Sequence, residues 1–463
     1  MKFHLLCLLA LLGLVACSSS NQKPQGADAE TETGPDTLRY TEDPRYRYWN
    51  DLARYLGGLK PLPGSVLDSI DHRPEAVEHR RFFDAAWALK DSVSLRRIQR
   101  WFSREYPQAH AYKETVFYPF SGPDFMTIYT LYPQAKQYFL FGLEPEGRSP
   151  DLKQLKTKDL RKHLQVLRTA LRDILGRTYF ITSHMGGDLS RSDFNGTLPI
   201  MLAFMARQGC EVLTVDRVVM QPDGTPRTLA PNEFIKMYVR DSLVTGVRIR
   251  FRKAGTKVKQ TLYYYSLDIS DPYYYHQKDF QRAIERLDKT QTFLKSASYL
   301  LHWDNFSLIR NQILRVTDML VQDDTGIAYR FLEKDKWDIR LYGRYTTPIR
   351  QFTGQFQADL NKAYIADSAR IQPLDFVFGY SALKNAANIL VARKKPGAVI
   401  PVLELKGVPR KPVYRPTNHI FGPDRPATAP PPPADSTLGA PVVAPLPVLE
   451  PAVQPNAVPT PTP

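Results

Sequence analysis

Cysteine is nearly missing from this chain: there are three in 463 residues, Cys7, Cys17 and Cys210. Two of them fall within the first 17 residues, so Cys210 stands by itself in the body and an internal disulfide framework is excluded. It opens the apolar run "CEVLTV", where a buried, inert thiol is expected rather than a nucleophile. Long apolar runs are missing as well. Phe3–Val15 falls short of the roughly 20 residues that a spanning helix needs, and nothing after residue 17 reads as a membrane-crossing helix. The motifs of common enzymes are also absent: no Gly-x-Ser-x-Gly elbow, no Walker loop and no His-Glu-x-x-His. No RNA-binding aromatic motif or helix-turn-helix pattern accompanies the basic residues, so no nucleic-acid partner is expected.

Acidic residues are in deficit. Lys and Arg number 62 against 47 Asp and Glu, a formal charge of +15. A basic surface attracts anionic lipid, glycan or nucleic acid. Here the clusters "RRFF", "LRRIQR", "RIRFRKAGTKVK" and "ARKK" lie far apart, which reads as solvated faces with a bias toward an anionic envelope.

The chain begins with a lysine, a short apolar stretch and small residues, the layout of a secretory signal. Its end, Leu14-Val15-Ala16-Cys17, resembles a bacterial lipobox. The resemblance implies cleavage before Cys17 and acylation of that cysteine, palmitate included. Ser18 at the next position is similar to the pattern of outer-membrane sorting. The alternative is an ordinary signal peptide cut nearby, with Cys17 left free. Several acyl chains, at about 0.8 kcal/mol per buried CH₂, would hold a soluble body firmly at a membrane. The expected address is the cell envelope, lipid-anchored at the outer membrane and facing the periplasm or the surface.

Composition divides the chain into a leader at 1–16, a polar tether at 17–40, a helical N-terminal part at 41–110, an α/β body at 111–400 and a Pro-rich tail at 401–463. The tail cannot build a core, because proline removes donors and fixes φ. It reads as an extended or disordered segment, either a spacer or a ligand for another envelope component. No Gly/Ser/Pro linker interrupts 37–395 and no solenoid repeat appears, so one compact body is expected.

Periodicity places helices across 44–106, with Tyr48, Leu52, Tyr55 and Leu59 on one face. "ETVFYPF", "DFMTIYTLYP" and "KQYFLFGLEP" read as strand, helix and strand. Two apolar runs separated by a helix imply a parallel crossover rather than a hairpin. Helices are predicted at "TKDLRKHLQVLRTALRDILG" and "GTLPIMLAFMARQG", the latter closed by Gly209. Strands are predicted at "CEVLTVDRVVM", "WDIRLYGRY" and "PLDFVFGY". Hairpins are predicted with turns at Ala254-Gly255 and at Asp323–Gly326. The class is α/β: a mixed sheet with a Rossmann-like βαβ start and an added helical part.

In open α/β sheets ligands bind beyond the carboxyl ends of the strands. That location draws attention to the corner Ser121-Gly122-Pro123-Asp124 and to Glu144 after the second strand. Parallel strands would bring both acids to one rim, where Gly122 allows close approach and a helix start offers free N–H groups. The stretch resembles the first βαβ of Rossmann-like S-adenosylmethionine-dependent methyltransferases, in which a glycine-rich loop precedes an acid that takes the ribose hydroxyls; Glu144 matches that acid in position. It departs from them in having one loop glycine, flanked by Pro119 and Pro123. The chain is also similar to a group of bacterial envelope lipoproteins with a "YPFSGPD…GLEP" signature, a likeness that implies no catalytic residue.

The candidate ligand-binding residues are therefore Ser121, Gly122, Asp124 and Glu144, with Tyr118 or His184 assisting if the rim is catalytic. The plain alternative makes Asp124 an N-terminal helix acid and Ser121-Gly122 a turn. His184, Asp188 and Asp193 match no ligand spacing, and neither metal nor cofactor is expected. His302 beside Asp304 reads as ordinary hydrogen bonding, and Tyr273–Tyr275 as packing at a sheet edge or an interface. The expected role is binding or structural in the envelope, to a protein or an anionic glycan, with an envelope enzyme of degenerate methyltransferase type as the alternative.

Overall fold

The computed structural model describes residues 44–407 except 66, 148–156, 177, 180–195, 231–232, 234–242, 382–383 and 406. Cys17, His184, Asp188, Asp193, the leader, the tether and most of the tail lie outside the described residues.

The principal helices are α1 Pro44–Leu56, α2 Pro74–Lys90, α3 Arg96–Glu105, α4 Phe125–Leu131, α5 Thr157–Gly176, α6 Leu198–Arg207, α7 Lys278–Glu285, α8 Ser307–Val316 and α9 Ala358–Ala366. None among the described residues is long and apolar enough to cross a membrane. The strands are β1 Thr115–Pro119, β2 Gln137–Gly142, β3 Cys210–Met220, β4 Pro226–Thr228, β5 Thr245–Lys253, β6 Lys259–Ser266, β7 Thr290–Leu294, β8 Thr317–Gln322, β9 Trp337–Gly343 and β10 Asn388–Lys394. They form one sheet in the order β4-β3-β5-β6-β2-β1-β7-β8-β10-β9.

Five neighbours, β6, β2, β1, β7 and β8, are parallel. Counted along the chain, these five run 3-2-1-4-5, the order of doubly wound dinucleotide-binding sheets, which reverses between the first and fourth. The reversal here falls between β1 and β7. Antiparallel strands complete both flanks: β5, β3 and β4 beyond β6, and β10 with β9 beyond β8.

Helices cover both faces, so the central strands are apolar on both sides rather than alternating. Tyr118, Tyr138 and Leu140 join one core, which also holds Leu52, Phe83, Phe102, Leu167 and Phe204 from the N-terminal and crossover helices. Phe117, Phe139 and Phe141 face the other, with Phe280, Ile309 and Leu360. The helices of 44–105 therefore share a core with the sheet.

The α/β class, the mixed sheet, the βαβ start and the hairpin at Ala254-Gly255 are as the periodicity predicts. Two elements differ. The segment after β8 does not turn back as a strand. Asp323 and Asp324 are buried at 1% and 3% and bind neighbouring loops, and β8 pairs with β7 and β10 instead. "PLDFVFGY" is not a strand either. Leu374, Phe376 and Phe378 are buried with period two, but Phe376 lies against Trp101 and Phe378 against Phe293, and among the described residues the ladder contact there is a single bridge from Gln372 to Tyr342.

Candidate functional site

The carboxyl ends of β1, β2, β7 and β8 meet on one rim. After β1 the chain turns through Phe120 and Gly122 at φ 56° and 48°. Ser121 is buried, its hydroxyl donating to the Gly122 carbonyl at 2.9 Å and its N–H to the Phe141 carbonyl at 3.0 Å. Asp124 caps α4: its Oδ1 accepts from the Thr127 N–H at 3.2 Å and the Thr127 hydroxyl at 2.8 Å. Its other oxygen accepts from the Tyr118 hydroxyl at 3.2 Å and pairs with Lys295.

Lys295 is the first residue past β7. Only 4% of its side chain is exposed, and it also donates to the Thr127 hydroxyl at 3.0 Å. Lys90, at the end of α2, is buried near the same pair just before the turn widens to an Arg96 N–H to Asp91 carbonyl bond. Burial pulls the Lys90 ammonium down to about 7; Lys295 lowers it further and Asp124 opposes. The Tyr118 phenol is pushed well above its ordinary range by burial and by Asp124.

Glu144 follows β2 and folds back over the loop glycines. A Cβ placed on Gly122 would lie 3.8 Å from its carboxylate, and one on Gly142 2.6 Å from it. Its carbonyl accepts from the Tyr264 hydroxyl at 2.8 Å. Ser121, Gly122, Asp124 and Glu144 thus share one rim, but the two acids face different partners. Glu144 covers the glycine that a nucleotide would approach, and Asp124 is engaged by protein donors.

The β7–β8 side of the rim is as densely wired. Ser296, Ser298 and Tyr299 all have positive φ, at 54°, 53° and 58°. Such conformations cost of order 1–3 kcal/mol each and persist where surrounding contacts impose them. Three contacts impose them: Asp323 accepts from the Ser296 N–H at 3.0 Å, Thr325 accepts from the Ala297 N–H at 2.8 Å, and Tyr299 donates to Asp324 at 2.5 Å. Asn388 donates to Asp324 at 2.8 Å. Burial, then Asp324, raises the Asp323 carboxyl to about 7. Tyr380 closes this side, donating to the Ser296 carbonyl at 3.0 Å, with the Tyr179 ring 4.6 Å away.

Lys90, Lys295 and Asp323 were not legible as rim residues. The available signal was "TQTFLK", a short run followed at once by lysine, which is a strand with a charge at its carboxyl end. Of the other candidates, His302 packs edge-on against Tyr299 at 5.0 Å, and Tyr274 is buried in the helical layer rather than at a sheet edge. No group of three metal-ligating side chains occurs among the described residues.

No family model matches the chain. No curated protein matches its sequence either.

Proposed function

We propose that this chain is a membrane-anchored envelope lipoprotein, tethered through Cys17, whose α/β body works by binding an envelope protein or an anionic glycan rather than by cofactor-dependent chemistry. The observation that carries the second half is the filled crevice. At the reversal point of the sheet, Lys295, Tyr118 and Thr127 consume the Asp124 carboxylate, and the Glu144 side chain occupies the approach to Gly122. A ligand that engaged Asp124 would have to break a buried ion pair, which costs several kcal/mol. The lipobox-like LVAC and the polar tether support the first half.

A second reading is favoured by the ionisable groups at the same rim. Burial draws the Lys90 ammonium down and, with Asp324, pushes the Asp323 carboxyl up, both toward a range suited to acid–base work, and strained backbone at Ser296, Ser298 and Tyr299 flanks the Asp323 side. Under it the rim is an active site closed in the unliganded state.

Thermal-shift titration of the full chain with S-adenosylmethionine and other nucleosides separates the two. The binding reading expects no saturable shift. A shift abolished by both Asp124→Ala and Glu144→Ala overturns it in favour of the enzyme. Metabolic palmitate labelling, expected in the native chain and lost in Cys17→Ala, tests the anchor.

A further inference from the structure

Away from the rim, α3 presents Arg97, Arg100 and Arg104 at spacings of three and four, so the three guanidinium groups share one face. Together with Trp101 and the segment Pro373–Asp375 they line a cleft of about 340 Å³. That volume lies at the small end of ligand sites. Trp101 forms the inner wall. It is 4% exposed and is held edge-on by Tyr342 at 5.1 Å and by Phe376 at 5.8 Å. Its indole N–H is buried with no acceptor among the described residues. A buried donor without a partner costs roughly 1–3 kcal/mol, so an acceptor brought against this wall of the cleft would recover that cost.

The acids nearby are few and partly spent. Arg97 lies 3.8 Å from the Asp375 carboxylate, and donates to the Asp375 carbonyl at 2.8 Å. Arg104 pairs with Glu105 at 2.9 Å. Arg100 is exposed and makes no ion pair among the described residues. Arg340 stands at the Tyr106 and Tyr342 hydroxyls, and Arg393 lies over the Tyr106 ring at 5.3 Å, which extends positive charge along the same face. Arg97 already holds carboxylate and carbonyl oxygens from one residue, the chemistry a bound oxyanion would take over.

We propose that this cleft is a binding site for a phosphate group, carried either by a small soluble ester or by a lipid headgroup, with Arg97, Arg100 and Arg104 supplying the charge and Trp101 one directed hydrogen bond. Guanidinium groups match phosphate oxygens two at a time, which a lysine cluster does not do. Neither the tether nor the state of the rim enters the argument, so failure here leaves the proposed function untouched.

The test uses the full chain with Cys17→Ser throughout, so that no acyl chain contributes. One arm titrates glucose 1-phosphate by calorimetry against glucose with sodium chloride at matched ionic strength. The other measures cosedimentation with vesicles of phosphatidylglycerol in phosphatidylcholine against phosphatidylcholine alone. Binding is expected in at least one arm, and which arm names the source of the phosphate. In Arg100→Gln/Arg104→Gln affinity should fall at least about tenfold, the worth of one charged hydrogen bond, with the melting temperature unchanged. Trp101→Phe, which keeps an aromatic ring of smaller size and removes the donor, should weaken it several-fold. Absence of binding in both arms, or binding indifferent to all these substitutions, overturns the proposal.

Discussion

Lys295 and Asp124 pair across the reversal point of the sheet: the lysine is the first residue past β7, the aspartate closes the turn after β1 and caps α4, and both are almost fully buried. One contact therefore joins the two halves of the parallel sheet at the place where such sheets usually admit a ligand. The same carboxylate satisfies the first turn of a seven-residue helix, so a structural requirement and an electrostatic one converge on a single side chain.

Breaking that pair from one side should be far worse than removing it whole. Lys295→Met leaves the buried Asp124 with neutral donors and, as its nearby cation, Lys90, which burial itself draws toward neutrality. Asp124→Asn keeps a competent cap but strands the ammonium. Each is expected to lower the unfolding free energy by about 3–5 kcal/mol, and the double variant to recover much of that loss. Urea denaturation of the four proteins measures it. Two single variants each within about 1 kcal/mol of wild type would mean that the pair contributes little.

Lys90 gives a pH dependence of defined sign. Its folded value of about 7 lies below the 10.5 of an ordinary lysine, so between these limits the unfolded chain holds the extra proton. Stability should therefore rise with pH across that window, and the penalty should be complete below pH 7. Lys90→Met is expected to be more stable than wild type at pH 6 by on the order of a few kcal/mol, with the gap closing toward pH 9.5. Asp323 works in the adjoining window. Its raised carboxyl favours folding when protonated, so that contribution fades as pH climbs from about 3.8 to about 7. Chemical denaturation of wild type, Lys90→Met and Asp323→Asn at stepped pH reads both slopes; parallel curves for all three would refute the assignment.

Two glycines separate backbone strain from steric closure. Gly379 and Gly255 both have positive φ, 60° and 79°. A Cβ on Gly255 would meet nothing within 4 Å, whereas on Gly379 it would fall 2.0 Å from the Asp323 carboxylate. Gly255→Ala should cost about 1–2 kcal/mol, the left-handed penalty alone. Gly379→Ala should cost distinctly more, because it also displaces the acid that holds the Ser296 turn. Equal losses in thermal melts would show that the rim yields to the added methyl.

What the sequence disclosed, and what it hid, follows from range. β1, α4 and β2 were legible because their apolar runs and the intervening helix lie within about thirty residues, and a crossover of that length admits one topology. The placement of Glu144 near Gly122 came from the same local logic. Lys295 was hidden because β7 is five residues long and its partner sits about 170 residues earlier, so nothing local marks the lysine as buried. Asp323-Asp324-Thr325-Gly326 carries the composition of an exposed turn. Only long-range partners, Ser296 and Asn388, make it a buried one. Phe376 and Phe378 kept the period of a strand without its hydrogen bonds, since alternate burial requires only two packed sides.

Cys210 offers a check that joins fold and tether. It begins β3 opposite Lys253, 4% exposed, and burial pushes its thiol up to about 12. At pH 8 the reactive thiolate would then be about one part in ten thousand, and solvent contact is nearly closed as well. Alkylation should proceed only through opening of the β3–β5 ladder, at a rate set by that opening rather than by reagent chemistry. If Cys7 leaves with the leader and Cys17 is acylated, mature protein should take up no iodoacetamide when native and one equivalent in denaturant, as read by intact mass. Rapid native labelling mapped to Cys210 would contradict its burial. A second equivalent after denaturation, mapped to Cys17, would instead leave the fold standing and remove the anchor.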